Sequence, residues 1–264
     1  MNDLLPLVTG TNLLPVAIGL VALLYASVGH AGATGYIAVM SLLGLPLLSI
    51  RPTALVLNVI VASIATVEFF RAGHFQSRLF WPLAVASVPC AFIGGAMSLP
   101  TAVLEAVLGG VLLISAIRIL RAEKSRPDLT QSDHELPTRP ATLTPSLLAA
   151  IGGGIGLLSG MTGVGGGVFL APTLLSLAAT PVKTVAAITA PFILVNSLAG
   201  LGGGLFAGRP FPAAGLPVIA AAVLGGGIGS HLGAFQLPTR TIRLLMAVVL
   251  VFASVKLLGR LLGF

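Results

Sequence analysis

The residues best placed to do chemistry in this chain are glycines. Gly29-His30-Ala31-Gly32-Ala33-Thr34-Gly35 and Gly163-Val164-Gly165-Gly166-Gly167 interrupt apolar stretches about half a chain apart. A glycine run weakens an ordinary helix, so each marks a break in a segment otherwise suited to a bilayer. Glycine admits positive φ, and its missing side chain lets a ligand approach backbone N–H groups closely. Gly165-Gly166-Gly167 leads into Val168–Leu175, and Gly32-Ala33-Thr34-Gly35 leads into Tyr36–Leu43, so a helix is predicted to start at each break. The free N–H groups and positive dipole end of a helix N-terminus form an anion site. The predicted chemistry is reversible binding of a small anion. The candidate positions are Gly29, His30, Gly32, Thr34 and Gly35 in the first break, and Gly163, Val164, Gly165, Gly166 and Gly167 in the second.

Polar side chains inside apolar runs are the next candidates. Asn58 and Thr189 stand at similar distances from the two breaks (189 − 58 = 131, against 167 − 35 = 132). Asn196 follows Thr189 by two helical turns and shares its face. Asn58, Thr189 and Asn196 can donate to a bound anion or form plain interhelical hydrogen bonds; both readings stand here, with Ser63 and Ser197 secondary. His30 is an ionisable group in an apolar region, which points to function. It suits an anion donor or a proton-linked switch, and the second break has no histidine. Glu68 and Arg71 read as a structural i,i+3 pair near a segment end. Glu105 and His231 are expected to reach headgroups or water, and Trp81 to anchor at an interface. Gly152-Gly153-Gly154, Gly202-Gly203-Gly204 and Gly225-Gly226-Gly227 read as helix-packing faces.

The elements that position these groups follow from composition. Hydrophobic residues make up 56% of 264, charged residues 8%, and mean hydropathy is +1.07. A soluble domain needs more charge to cover its surface, so the chain reads as an integral membrane protein. Scarce aromatics and long apolar runs predict helices rather than an alternating barrel. The excess of 14 bases over 7 acids fits loops retained in the cytoplasm rather than nucleic-acid binding. No Asp or Glu follows Glu135, so a carboxylate cage for a cation cannot be built in the second half. Cys90 is the single cysteine, which rules out an internal disulfide framework. No carboxylate pair, nucleophile triad or metal-ligand cluster lies in the apolar runs, so neither catalysis nor a metal or cofactor is expected. Residues 1–12 carry Asp3 and no base, so the positive region of a cleavable signal peptide is missing. The run from Leu13 is expected to stay as a membrane helix.

Apolar runs fall into five segments per half: 13–28, 35–49, 53–70, 79–98 and 102–120, then 145–161, 167–180, 184–206, 212–235 and 240–262. This divides the chain into a first membrane repeat (1–120), a polar cytoplasmic loop (121–144) and a second membrane repeat (145–264). Leu99-Pro100-Thr101 recurs as Leu237-Pro238-Thr239, Arg118 matches Lys256, and Ala72-Gly73-His74 matches Ala207-Gly208-Arg209. The positive-inside rule places Arg71, Arg78 and the central loop in the cytoplasm. An odd number of crossings between the halves then inverts the second repeat and puts both termini outside. Ten bases fall inside and four outside, the four being Arg51, Arg209, Lys256 and Arg260. The fold class is thus an all-α polytopic membrane protein of two inverted-topology repeats. Each repeat has a glycine-broken helix pair followed by three spanning helices, and whether the first two segments fully span or re-enter is open.

Gly163-Val-Gly-Gly-Gly-Val-Phe-Leu-Ala-Pro172 resembles the glycine motif of the sulfite exporter TauE/SafE family. Arg71-Ala-Gly-His-Phe75 and Thr53-Ala-Leu-Val-Leu-Asn58 are similar to a branch of it, and the resemblance runs from about residue 13 to 262. It implies two homologous halves in the bacterial inner membrane and export of sulfite, sulfoacetate or related sulfur-containing anions. Gly163, Gly165, Gly166 and Gly167 carry over directly, whereas Ala31 and Ala33 interrupt the first break, which departs from strict symmetry. The expected partners are a small anionic substrate and the lipid bilayer, with a homodimer open. The rival reading is a channel or assembly subunit whose glycines only pack helices.

Overall fold

The computed structural model describes residues 13–97 except 44 and 46, 144–177, 180–209 and 214–238, with isolated positions beyond. The loop 121–144 (but for its last residue) and almost all of segments 102–120 and 240–262 lie outside the described residues. The described elements are helical: α1 (Leu13–Ala26), α2 (Ala33–Leu42), α3 (Leu47–Arg71), α4 (Ser77–Ala96), α5 (Pro145–Thr162), α6 (Gly167–Leu177), α7 (Val182–Phe206) and α8 (Leu216–His231), which runs into a π turn, Leu232–Gln236. These match the first four predicted segments of each half. Among the described residues, five helices are long and apolar enough to cross a membrane: α3, α4, α5, α7, and α8 with its π turn. At 10 and 11 residues, α2 and α6 extend only about 15 Å, half of a hydrocarbon core of about 30 Å.

Local chemistry sets the ends. Thr144 caps α5 by accepting from the Leu147 N–H at 3.3 Å, with Pro145 at the first helical position. Gly163 ends α5 at φ 74°, its N–H bonded to the Ser159 carbonyl at 2.9 Å. Gly73 after α3 and Gly208 after α7 are left-handed at φ 74° and 77°, so the repeated Ala-Gly-base signature is the same turn in both halves.

Exposed apolar side chains form outward faces, such as Leu13, Val16, Leu20 and Leu24 on α1 and Trp81, Val85, Val88 and Phe92 on α4. Faces of this kind suit lipid rather than water. The inward faces pack in a pattern that survives exchange of the halves. α1 packs on α8 and α5 on α4; α3 packs on α8 and α7 on α4; α2 lies on α3 and α6 on α7; and α3 meets α7 at the centre. α3 and α7 run antiparallel there, with Leu55 beside Gly200, Asn58 bonded to Ser197, and Ala65 clustered with Ala187 and Ala190. α8 runs parallel to α3, where His231 Nδ1 lies 2.9 Å from Glu68 Oε2. α7 runs parallel to α4, where Asn196 Nδ2 donates to Ser87 Oγ at 3.1 Å.

Two glycine ladders bring backbones together. Gly152, Gly156 and Gly160 of α5 face the carbonyls of Leu83, Ser87 and Ala91 on α4. Gly225, Gly229 and Gly233 on α8 and its turn face those of Gly19 and Leu23 on α1 and of Ser27 just after it. A Cβ at any of these six would overlap the facing carbonyl, whereas Gly154 and Gly227 face open space. Close approach of this kind replaces the hydrophobic drive that lipid does not supply, with Cα–H groups against carbonyl oxygens. The packing reading of the glycine runs therefore applies to particular members of each run. Gly156→Ala is expected to destabilise by about 1–3 kcal/mol as an overpacked contact, or roughly 2–4 °C in Tm per kcal/mol. Gly154→Ala should leave Tm unchanged or slightly raised. Thermal unfolding in detergent, followed through Trp81, the single tryptophan, checks both.

Candidate substrate-binding site

The first break begins where α1 runs out of helical partners. Gly29 N–H bonds Ala26 O at 3.0 Å and His30 N–H bonds Tyr25 O at 2.9 Å. Gly29 takes φ 75° and lies so close to Ala186 of α7 that a Cβ could not fit. The chain re-enters helix at Ala33, with Gly32 at φ 103° beneath the Tyr36 ring. The second break has the same construction. Gly163, Gly165 and Gly166 are left-handed, and α6 begins at Gly167. Left-handed glycines recur at a fixed offset in the two breaks (163 − 29 = 134; 166 − 32 = 134).

α2 leads from its break to the start of α3, and α6 leads from its break to the start of α7. Because α3 and α7 are antiparallel, these two short helices leave the breaks in opposite directions. Their first turns meet. Ala33 and Thr34 of α2 and Gly167 and Val168 of α6 line one pocket, together with Tyr25, His30, Gly32, Val164 and Ile193. Its free space is about 170 Å³ when the part open to its surroundings is counted, and the closed part is far smaller, so only a cargo of few atoms fits without the walls moving apart. Each helix N-terminus carries roughly half a positive charge, so the two together place about one unit at the pocket. None of the lining residues is acidic among the described residues.

Side chains around the pocket are buried and incompletely satisfied. Thr34 Oγ1 donates to Tyr25 Oη at 2.8 Å. His30 is 4% exposed, and its Nδ1 lies 3.1 Å from the Val28 carbonyl. That carbonyl can only accept, so Nδ1 carries the hydrogen and Nε2 donates only when the ring is protonated. Asn58 Nδ2 donates to Val164 O at 3.2 Å and to Ser197 Oγ at 3.4 Å. Five buried side-chain atoms have no partner among the described residues: Tyr36 Oη, Asn58 Oδ1, Ser159 Oγ, Thr189 Oγ1 and Asn196 Oδ1. Four of these five side chains border break glycines: Tyr36 at Gly32, Asn58 at Gly165, Ser159 at Gly166 and Thr189 at Gly167. An unmet buried polar group costs about 1–3 kcal/mol, so such a cluster calls for an occupant or a role.

The predicted residues divide accordingly. His30, Gly32, Thr34, Val164 and Gly167 line the pocket. Gly165, Gly166, Asn58 and Thr189 form the layer behind it, with Gly166 set against Phe192, Ile155 and Ser159. Gly29 is a close-approach position on α7, Gly35 packs on Val21 and Tyr25 of α1, and Gly163 sits beside Arg51 outside the pocket. Asn196 is not at the breaks; its amide donates to Ser87 Oγ and, at 2.8 Å, to Phe192 O. Counting from the helix starts (182 − 47 = 135) sets Ile193 opposite Asn58, so the sequence alignment of Asn58 with Thr189 is off by one turn. Glu68 does pair with Arg71, at 3.5 Å; its bond to His231 was not foreseen. Tyr25 and Tyr36 were also missed, although a signal existed: they are the chain's only two tyrosines and flank the first break.

The chain matches the sulfite exporter TauE/SafE family over residues 14–257. It belongs to that family. A protein of Sinorhizobium fredii named as a probable membrane transporter is 39% identical over 247 residues, covering 93% of this chain and 97% of the relative. No solved structure gives a significant match. As a TauE/SafE protein, the chain is a multi-pass membrane protein of a transporter family.

The Asn58 amide spans α3, the second break and α7, so its removal tests how the break is held. Asn58→Leu leaves the Val164 carbonyl unmet and should cost about 1–3 kcal/mol. Ser63→Ala, which removes only a bond to Val59 O within α3, should cost well under 1 kcal/mol. Paired unfolding curves in detergent read the difference.

Proposed function

We propose that this TauE/SafE protein exports small sulfur-containing anions, such as sulfite, sulfoacetate or related organosulfonates, across a bacterial inner membrane by alternating access. The observation that carries this reading is the meeting of two helix N-termini at one small pocket, with unmet hydroxyls and amides in the layer behind it. Helix N-termini facing an anionic group at the midplane are the recurring device of carriers with discontinuous helices. An anion can bind there through backbone N–H groups and the Tyr25 hydroxyl, whose oxygen accepts from Thr34 and leaves its own hydrogen to donate, without a counter-charged side chain; the Tyr36 and Thr189 hydroxyls lie in the layer behind and would need to turn inward. The family name and the named transporter relative support transport; the choice of sulfur anions rests on the family name alone.

Antiparallel α3 and α7, with a contact pattern unchanged by exchange of the halves, support two inverted repeats. Two such halves rocking about the pocket would open it first to one side and then to the other. A membrane potential, negative inside, favours anion efflux by about 2.3 kcal/mol per charge per 100 mV, equivalent to roughly fifty-fold in concentration ratio. No coupled cation is needed energetically. Both termini and the Arg51 end of α3 are assigned to the periplasm, and the central loop to the cytoplasm.

Purified protein in liposomes, assayed with sulfite, sulfoacetate, taurine and sulfate under a set potential, tests this. Potential-dependent flux of one sulfur anion is expected. A component driven by a pH gradient and lost in His30→Gln would mark proton coupling. Failure of all four anions with folded protein would remove the sulfur-anion reading. Gly166→Leu should abolish flux, because its φ of 82° and the adjacent Phe192 leave no room for a side chain. Tyr36→Phe and Thr189→Val distinguish cargo contact from scaffolding. Each removes an unmet hydroxyl, so Tm should hold or rise while KM rises several-fold. A fall in Tm with unchanged KM would assign them to packing.

A further inference from the structure

The two long central helices meet at both of their ends, and the two meetings are built from equivalent residues. α3 and α7 begin 135 residues apart (182 − 47 = 135), and the turns after them are centred on Gly73 and Gly208, again 135 apart. On that offset Arg51 and Leu55 of α3 correspond to Ala186 and Ala190 of α7. Gly200 and Gly204 of α7 correspond to Ala65 and Phe69 of α3. The left-handed Gly163 rests against Arg51 at one end as the left-handed Gly29 rests against Ala186 at the other.

These equivalent residues are packed differently. At the first end Arg51, Leu55, Gly163, Gly200 and Gly204 line a pocket whose free space is about 330 Å³ when the part open to its surroundings is counted. At the other end Ala65, Phe69, Ala186, Ala187 and Ala190 share one core cluster, and none is more than 1% exposed. A Cβ on Gly163 would stand 3.7 Å from the Arg51 carbonyl oxygen, whereas one on Gly29 would stand 2.6 Å from that of Ala186. Side-chain bulk does not account for the difference. At both ends α3 supplies the large residues (Arg51 and Leu55, then Phe69) and α7 the small ones.

The walls of each mouth belong to different packing units. Among the described residues, α1, α2, α3 and α8 share one buried cluster and α4, α5, α6 and α7 another. Tyr25, Val28 and Ile193 are the buried members that cross over, and all three lie beside the breaks. Polar bonds follow the same division: Glu68 and His231 tie α3 to α8, and Asn196 and Ser87 tie α7 to α4. Each half that rocks is therefore completed by one helix from the other repeat. Gly73 and Gly208 lie in the connections between the units, with open space where a side chain would be.

We propose that the structure is one end state of an alternating pair, open between α3 and α7 at the Arg51 end and shut at the Phe69 end. Ala65, Phe69, Ala186, Ala187 and Ala190 are the gate that parts when the Arg51 mouth closes. The second state follows from the repeats: each end takes the packing now seen at the other. Tilting the two units about the central Asn58 contacts exchanges the states without repacking either interior. The inference rests on the alternating-access reading above, though not on which anion is carried.

Thiol modification tests the gate without any need for flux. In a Cys90→Ala background, which removes the single native thiol, Leu55→Cys and its equivalent Ala190→Cys are each exposed to a small charged methanethiosulfonate. The protein is held in nanodiscs, so both mouths meet the reagent. The thiolate is the reactive form, and an apolar burial suppresses it. Leu55→Cys is expected to react at least ten-fold faster than Ala190→Cys. Overpacking the gate with Ala65→Leu should reverse that order, protecting Leu55→Cys and exposing Ala190→Cys. If Ala65→Leu does not fold, the smaller Ala65→Val takes its place. Equal reactivity of the two thiols, or an overpacked gate that leaves Leu55→Cys as reactive as before, overturns the proposal. Reciprocal reactivity without flux of any sulfur anion in liposomes removes the export reading alone, whereas flux without reciprocity removes this inference alone.

Discussion

A helix opened inside a bilayer exposes N–H and carbonyl groups that lipid cannot satisfy, and this structure is organised around housing two such openings. The Asn58 amide is central to that task. From the middle of α3 it reaches the Val164 carbonyl of the second break and the Ser197 hydroxyl of α7. Three segments far apart in sequence are fixed by one buried side chain. The left-handed glycines follow from the same constraint. With side chains at Gly29 or Gly165, the chain could not lie close enough to α7 and α3 for those bonds to form.

The antiparallel pair of α3 and α7 turns local breaks into a site. Each short helix must return the chain to the start of its long neighbour, so antiparallel long helices send the short ones apart. Their N-termini are left facing one another across a small gap. The positive ends of two dipoles then confront each other, which is costly when the space between them is empty. On the proposed reading, a bound anion would relieve this repulsion, and the unmet hydroxyls nearby would add donors without adding net charge. Selectivity for small anions would follow from pocket size and donor placement rather than from a fixed cation.

Much of this arrangement is legible in the sequence. The breaks, the helix starts after them, the paired segments and the matched Ala-Gly-base turns are all local signals, carried by glycine and proline chemistry that acts over a few residues. What lay beyond reach depends on which faces meet. Nothing near His231 announces Glu68, 163 residues away. Asn196 reads like Asn58 as a polar residue in an apolar run, yet its helix turns it toward Ser87 on α4 rather than toward a break. The misalignment of Thr189 with Asn58 came from counting from Gly35 to Gly167, whereas the short helices start at 33 and 167, 134 apart, and the long ones at 47 and 182, 135 apart; the difference accumulates to about one helical turn. Tyr25 and Tyr36 were visible but unweighted, because an aromatic beside a glycine reads first as packing.

The two glycine ladders carry a consequence for assembly. One joins α5 to α4 and the other joins α8 to α1, so each seam has one wall before the central loop and one after it. Space is yielded from both directions within a seam, since Gly94 of α4 lies against the Leu157 carbonyl of α5 just as Gly156 lies against that of Ser87. Neither stretch of chain holds both walls of either seam, so the helices before the loop cannot reach their final packing until those after it have been inserted beside them.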